Sequence, residues 1–173
     1  RRPAMKMRLE TLHAGTPASV AVLCGPSAKV PMPACLQRIA IERQCVHYQG
    51  GALPLSSSLS QRATRLALSA VDSLPAPLGF LGIDLMLGDD PAGNDDVVLE
   101  TNPRLTTSYV GLRAAVDINI AGLMLDVICG EAPELYLIPR AVEFSADGSV
   151  WPVEQAAIEA CIAATAEDQT HPL

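Results

Sequence analysis

The strongest constraint in this sequence lies between residues 79 and 102. Residues 79–87 alternate as a strand does, with Phe80, Gly82, Asp84 and Met86 on one face and Leu81, Ile83, Leu85 and Leu87 on the other. Residues 88–96 are polar and carry Asp89, Asp90, Asp95 and Asp96. Residues 97–102 resume as a strand, with Val98, Glu100 and Asn102 sharing one face. Two such strands around one loop predict an antiparallel hairpin. Centred near residue 92, it sets Asp84 opposite Glu100, with Cβ atoms ~5 Å apart. Asn102 then follows ~7 Å along the same face.

That register gathers two carboxylates and an amide oxygen, and neither strand contains a Lys or His to neutralise them. Adjacent carboxylates repel and raise each other's pKa. A hard divalent cation relieves the repulsion, and all-oxygen ligation suits Mg²⁺ or Mn²⁺. Arg104 follows at once, and its planar fork suits a phosphate or a carboxylate. The competing reading is an acid pair on a solvated sheet face with no chemical role. Phe80, Met86 and Val98 argue against it, because they make this face semi-buried, where an uncompensated acid pair is costly. The acidic loop lacks EF-hand spacing and reads as a solvated turn rather than a calcium site.

The chain of 173 residues is half apolar and moderately charged, a globular composition of one domain. Its charge is uneven: residues 1–65 hold nine Lys/Arg against two acids, and the rest three against seventeen. The basic residues are scattered and lack interleaved aromatics, so a nucleic-acid partner is not expected. A cleft that receives a polyphosphate accounts equally well for local positive charge. Five cysteines without Cys-x-x-Cys spacing predict free, small, buried thiols in a reducing cytoplasm. No membrane span is expected, since the most apolar stretch, 114–129, is interrupted by Asp117, Asn119 and Asp126. The opening Arg1-Arg2-Pro3, with no initiator Met, leads to the expectation of a fragment of a longer polypeptide.

Elsewhere, residues 7–12 and 19–24 read as strands around a turn at 14–17. Residues 31–48 read as strands joined by loops, with Gly50-Gly51 as a breaker. A helix is expected over 59–74, started by a Ser58/Gln61 capping box and ended by Pro75 and Pro77. One buried helix is expected over 114–129, C-capped by Gly130. A hairpin follows over 141–151 with Asp147-Gly148 at its turn, then a short helix over 154–164. The fold class expected is α+β, a largely antiparallel sheet with packed helices.

Gly79-Phe80-Leu81-Gly82-Ile83-Asp84, followed by Glu100-Thr101-Asn102-Pro103-Arg104, resembles the C-terminal signature of ATP-grasp ligases. The resemblance implies that residues 1–173 are the C-terminal ATP-grasp subdomain of a longer enzyme. It implies that Asp84, Glu100 and Asn102 hold Mg²⁺ (or Mn²⁺) against the phosphates of ATP, and that Arg104 acts on the transferring group. The run Leu105-Thr106-Thr107-Ser108-Tyr109-Val110-Gly111-Leu112-Arg113 is similar to the branch containing tyramine–glutamate ligase of methanofuran biosynthesis and its bacterial one-carbon relatives. Ala14-Gly15-Thr16-Pro17-Ala18-Ser19-Val20 resembles the segment after the adenine-binding hinge, and Tyr48-Gln49-Gly50-Gly51 a loop of that branch.

The implied activity is an ATP-dependent carboxylate–amine ligation through an acyl-phosphate. Glu10 and Leu12 are then candidates for contact with adenine or ribose, and Ser108, Tyr109 and Arg113 for contact with the carboxylate or amine substrate. The lysines and glycine-rich loop that clamp phosphates in the family are missing here, and are expected from an N-terminal part of the same enzyme. Two other readings stay open: a non-catalytic interaction module that retains the fold, and an ATP-grasp ligase or carboxylase with a different acceptor.

Overall fold

The computed structural model describes residues 11–42 and 45–168. Among these residues eight strands form one sheet: β1 (Thr16–Cys24), β2 (Lys29–Pro31), β3 (Cys35–Glu42), β4 (Cys45–Leu53), β5 (Gly79–Leu87), β6 (Val97–Asn102), β7 (Val142–Ser145) and β8 (Val150–Pro152). The spatial order is β6-β5-β1-β3-β4-β7-β8, with β2 paired to β1. Every pairing is antiparallel. Four helices complete the fold: α1 (Ser57–Asp72), α2 (Ser108–Ala115), α3 (Ile120–Ile128) and α4 (Gln155–Asp168). This is the expected α+β architecture. No helix among the described residues is long and apolar enough to cross a membrane.

Alternation along β1 and β5 divides the core into two layers. Ala18, Val20 and Val22 of β1, with Leu81, Ile83, Leu85 and Leu87 of β5, pack against Ala63, Ala67 and Val71 of α1 and Ile158 of α4. On the opposite face Ala21, Leu23, Phe80 and Phe144 pack against Leu112 of α2 and Ile120 and Val127 of α3. The second layer stops short. Further along this face, Ser19 on β1 and, past Gly82, Asp84 on β5 are polar, and this end of the sheet holds a cleft.

Several local expectations need correction. Helix α1 starts at Ser57, so Ser58 lies inside the first turn. Ser56 is the N-cap without a side-chain capping bond, and the Ser60 hydroxyl donates instead to the Leu55 carbonyl at 3.0 Å. Gly50-Gly51 does not break β4. The strand runs through it, and the glycines are required because a Cβ at either would overlap a neighbouring strand, at Phe144 O and Leu36 O respectively. The stretch 114–129 is not one helix: the chain turns at 116–119, and Asn119 caps α3 by accepting from Gly122 N–H at 3.1 Å. Gly130 does close α3. With φ +99° it forms a Schellman end, Glu131 N–H to Asp126 O at 3.0 Å and Gly130 N–H to Val127 O at 3.1 Å. Pro17 belongs to β1 rather than to a turn, and the expected strand at 7–12 falls mostly outside the described residues.

The uneven charge also finds its use in the fold. Lys29 pairs with Asp72, Arg38 with Glu143 at 2.8 Å, and Arg62 with Asp96, while Arg65 donates to the Ala92 carbonyl at 3.1 Å. The described basic residues before residue 66 are therefore spent on later parts of the chain, not on an open basic surface. Arg62 and Asp96 are 11% and 4% exposed, and Arg62 also donates to Gly88 O at 2.7 Å. The acidic loop is thus pinned to α1, and it returns β6 alongside β5.

Candidate active site

The hairpin delivers Asp84 opposite Glu100, as the register of the sequence predicts. A bulge follows immediately, because Leu85 pairs with Val98 and Leu99 is the extra residue. Val98 therefore sits opposite an inward residue of the α1 face, and does not line the Asp84 face with Phe80 and Met86 as expected. Asn102 pairs with Gly82, two positions from Asp84.

Asp84 is held from both sides. Its Oδ1 accepts from Gln37 Nε2 at 2.8 Å, and its Oδ2 accepts from Asn102 Nδ2 at 3.0 Å. Asn102 is 6% exposed, and its Oδ1 accepts from Arg104 Nη2 at 3.3 Å. Arg104 is brought round by a tight turn in which its own N–H donates to the Asn102 carbonyl at 2.8 Å. Burial, then the charge of Glu100, push the Asp84 carboxyl above its ordinary range. The Gln37 and Asn102 hydrogen bonds and the Arg104 charge oppose the shift without cancelling it. Glu100 is exposed, and its side chain forms no hydrogen bond or ion pair with the described residues.

Glycine 82 sets the other wall. A Cβ there would overlap the Thr106 side chain, so only glycine lets residues 103–107 cross β5 this closely. The crossing puts the Thr106 and Ser108 hydroxyls 2.8 Å apart, with Ser108 buried at the start of α2. Between these walls lies a cleft of about 170 Å³, lined also by Ser19 and Tyr48.

Of the residues singled out in the sequence, Asp84, Glu100, Asn102, Arg104 and Ser108 line this one cleft. Tyr109 and Arg113 do not. They line a separate hollow of about 520 Å³ with Asp117 and Asn119. Tyr109 packs edge-on to Phe80, ring centroids 6.1 Å apart, and Arg113 lies in the last turn of α2. Leu12 is 82% exposed ahead of β1, and Glu10 lies outside the described residues. Sequence reasoning passed over Gln37, Ser19 and, as a site residue, Tyr48. Ser19 carried a signal, as the one polar residue in the otherwise apolar run 18–24 of β1.

Among the described residues no three His, Cys, Asp or Glu side chains cluster as metal ligands. The candidate set is two carboxylates and an amide oxygen. It fits a hard divalent cation. Asp84 has one oxygen lone-pair site left on each carboxylate oxygen beyond its two hydrogen bonds, Asn102 Oδ1 keeps a second lone pair, and Glu100 is unengaged.

The family model for an ATP-grasp domain matches residues 9–108. The fold is similar to that of an N5-carboxyaminoimidazole ribonucleotide synthetase solved with ADP, with TM-score 0.59 and 20% identity over 77% of this chain and 34% of that one. It is similar to an ATP-grasp superfamily protein from Archaeoglobus fulgidus, with TM-score 0.60 and 19% identity over 83% of this chain and 47% of that one. It is also similar to N5-carboxyaminoimidazole synthase from Aspergillus clavatus solved with ADP and 5-aminoimidazole ribonucleotide, with TM-score 0.59 and 17% identity over 76% and 34%. The chain thus spans between a third and a half of these structures. No curated protein matches it in sequence.

Proposed function

This chain belongs to the ATP-grasp family, and from that premise we propose that it supplies the metal- and phosphate-facing half of an ATP-dependent carboxylate–amine ligase. The observation that carries the reading is the pairing of Asp84 with Glu100 across β5 and β6, tied to Asn102 and Arg104. Asp84, Glu100 and Asn102 would hold Mg²⁺ or Mn²⁺, which when bound neutralises phosphate charge. In the proposed reaction a substrate carboxylate takes the γ-phosphoryl group of ATP, and an amine then displaces phosphate from the acyl-phosphate.

The chain's own residues contribute position and charge. Gln37 and Asn102 fix the Asp84 carboxylate, so no rotamer freedom is lost when a ligand arrives. Arg104 presents a guanidinium at the edge of the cleft, suited to the charge that builds on a transferring phosphoryl group. Among the described residues no lysine lines the cleft, and the phosphate-clamping cations are proposed to come from outside the described residues. The location proposed is the cytoplasm, where ATP and Mg²⁺ are available.

Titrating Mg²⁺–ATP and, separately, Mn²⁺ into the protein tests this reading. Asp84→Asn and Glu100→Gln should each abolish both responses. Wild-type affinity in either variant sinks it. The finer reading, a ligase of the tyramine–glutamate type in methanofuran-like cofactor biosynthesis, rests on the run 105–113. It requires ATP-dependent phosphate release to depend on an arylalkylamine acceptor, and faster release with an unrelated acceptor refutes it.

A further inference from the structure

One hydroxyl in the cleft is buried and has no partner. Ser19 is 3% exposed, and its Oγ makes no hydrogen bond. It lies in register with Asp84 on β5 and with Cys35 on β3. The next residues on its face, Ala21 and Leu23, are apolar and covered by α2 and α3. Alanine at position 19 would fill the same space without burying a polar atom, so the fold alone gives no reason for serine here.

The surroundings of Ser19 are rich in uncharged donors. Tyr48 is half-buried in the same cleft, and no hydrogen bond joins its hydroxyl to another described residue. Burial, reinforced by Cys35 and Asp84, pushes that phenol above its ordinary pKa, so it keeps its proton and remains a donor. Thr106 and Ser108 share one hydrogen bond, which leaves one of their two protons for a ligand. Gln37 spends one of its two amide protons on Asp84 Oδ1, and the other remains to donate. Donors on one side and two carboxylates on the other describe a site for an oxyanion that enters together with a cation. Without the cation, Asp84 and Glu100 repel it.

We propose that Ser19 and Tyr48 form an oxyanion subsite beside the Asp84–Glu100 pair, which holds a small oxyanion once a divalent cation is bound. The oxyanion is either the carboxylate being activated or the phosphoryl group in transit. This assignment rests on the metal reading above and extends it to two residues outside the metal set.

The test uses the whole protein with Mn²⁺, inorganic phosphate and acetate as probes, at ionic strength matched with chloride. Mn²⁺ binding is read by water-proton relaxation, and anion binding by its perturbation of the bound Mn²⁺ signal and by thermal shift. In the wild type, phosphate or acetate should bind only with Mn²⁺ present. Ser19→Ala and Tyr48→Phe should each weaken that binding roughly tenfold or more, the worth of one hydrogen bond to a charged group. Both should bind Mn²⁺ as the wild type does. With no ligand, Ser19→Ala should melt no lower than the wild type. A response to phosphate alone assigns the subsite to the phosphoryl group, and a response to acetate alone assigns it to the carboxylate. Anion affinity unchanged in both variants, or a wild type with Mn²⁺ that binds neither anion, overturns the subsite and leaves the metal reading standing. Failure of the wild type to bind Mn²⁺ overturns both.

Discussion

Replacing Gly82 with alanine isolates the crossing that builds the far wall of the cleft. Gly82 lies two residues before Asp84 and opposite Asn102. A Cβ there overlaps the Thr106 methyl and stands 3.2 Å from its Oγ1 and 3.4 Å from its Cβ. Thr106 is not free to swing away, since its hydroxyl is bonded to that of buried Ser108. Forcing a methyl into a packed contact costs roughly 1–3 kcal/mol. Alanine also restricts the unfolded chain more than glycine does, which offsets roughly 0.5–1 kcal/mol, because Gly82 has no left-handed φ that alanine would resist. The net loss expected is about 0.5–2 kcal/mol. The overlapping atom names the compensating change. Thr106→Ser removes the methyl and keeps the hydroxyl, and by itself should cost about 0.5–1 kcal/mol for one partly buried methyl. In Gly82→Ala/Thr106→Ser the overlap is gone, so the double variant should be more stable than the sum of the singles by about 1–2 kcal/mol. Urea unfolding of the four proteins measures this coupling. Mg²⁺–ATP affinity should follow it, falling in Gly82→Ala as Arg104 and Ser108 are displaced and returning in the double variant. Strict additivity in stability would refute the claim that the Thr106 methyl is what excludes a side chain at position 82.

Three further outcomes follow from the same coordinates. Arg62→Ala strands Asp96, 4% exposed, with only the Gly88 N–H as partner, and should cost roughly 3 kcal/mol in urea unfolding; a loss under about 1 kcal/mol would show the loop is not pinned as described. Because the Asp84 carboxyl titrates above its ordinary range, protons should compete with Mn²⁺ at a higher pH than an unperturbed carboxylate would allow. In the metal-free protein the same raised value means that the native state binds more protons, so this group's contribution to stability falls as pH rises from the ordinary to the raised pKa. A pH series of Mn²⁺ affinity in the wild type, and of metal-free urea midpoints in the wild type against Asp84→Asn, checks both signs, and a metal-free difference of opposite slope contradicts the second. Burial raises the thiol of Cys24 and drives that of Cys35 up to about 12, while Cys45 and Cys129 are exposed. Alkylation of the native protein near pH 8 should mark Cys45 and Cys129 by peptide mass mapping, and Cys24 and Cys35 only after unfolding.

What the sequence could and could not reveal follows from the range of the forces involved. The β5–β6 hairpin was legible because alternation, a polar loop and the second strand all lie within a short span, and the Asp84–Glu100 register follows from local pairing alone. The bulge at Leu99 was not, because Val97, Val98 and Leu99 are equally apolar and nothing in their order marks which one steps out of register. Gly50-Gly51 looked like a break because glycine usually is one. Its real cause is contact with β3 and β7, strands that a local reading cannot bring near. The break between α2 and α3 was marked by Asp117 and Asn119, but a strongly apolar run outweighed them. The same limit explains why the cleft was seen only in part. Asp84, Glu100, Asn102 and Arg104 come from one hairpin and its exit. Gln37 and Tyr48 reach them only because β1 and then β3 and β4 stack beside β5, an order that departs from chain order. Ser19 is the instructive case, since its polarity in a buried strand was visible without any topology. A lone hydroxyl among valines and leucines has to be explained by a partner or by a ligand, and here the structure provides no partner.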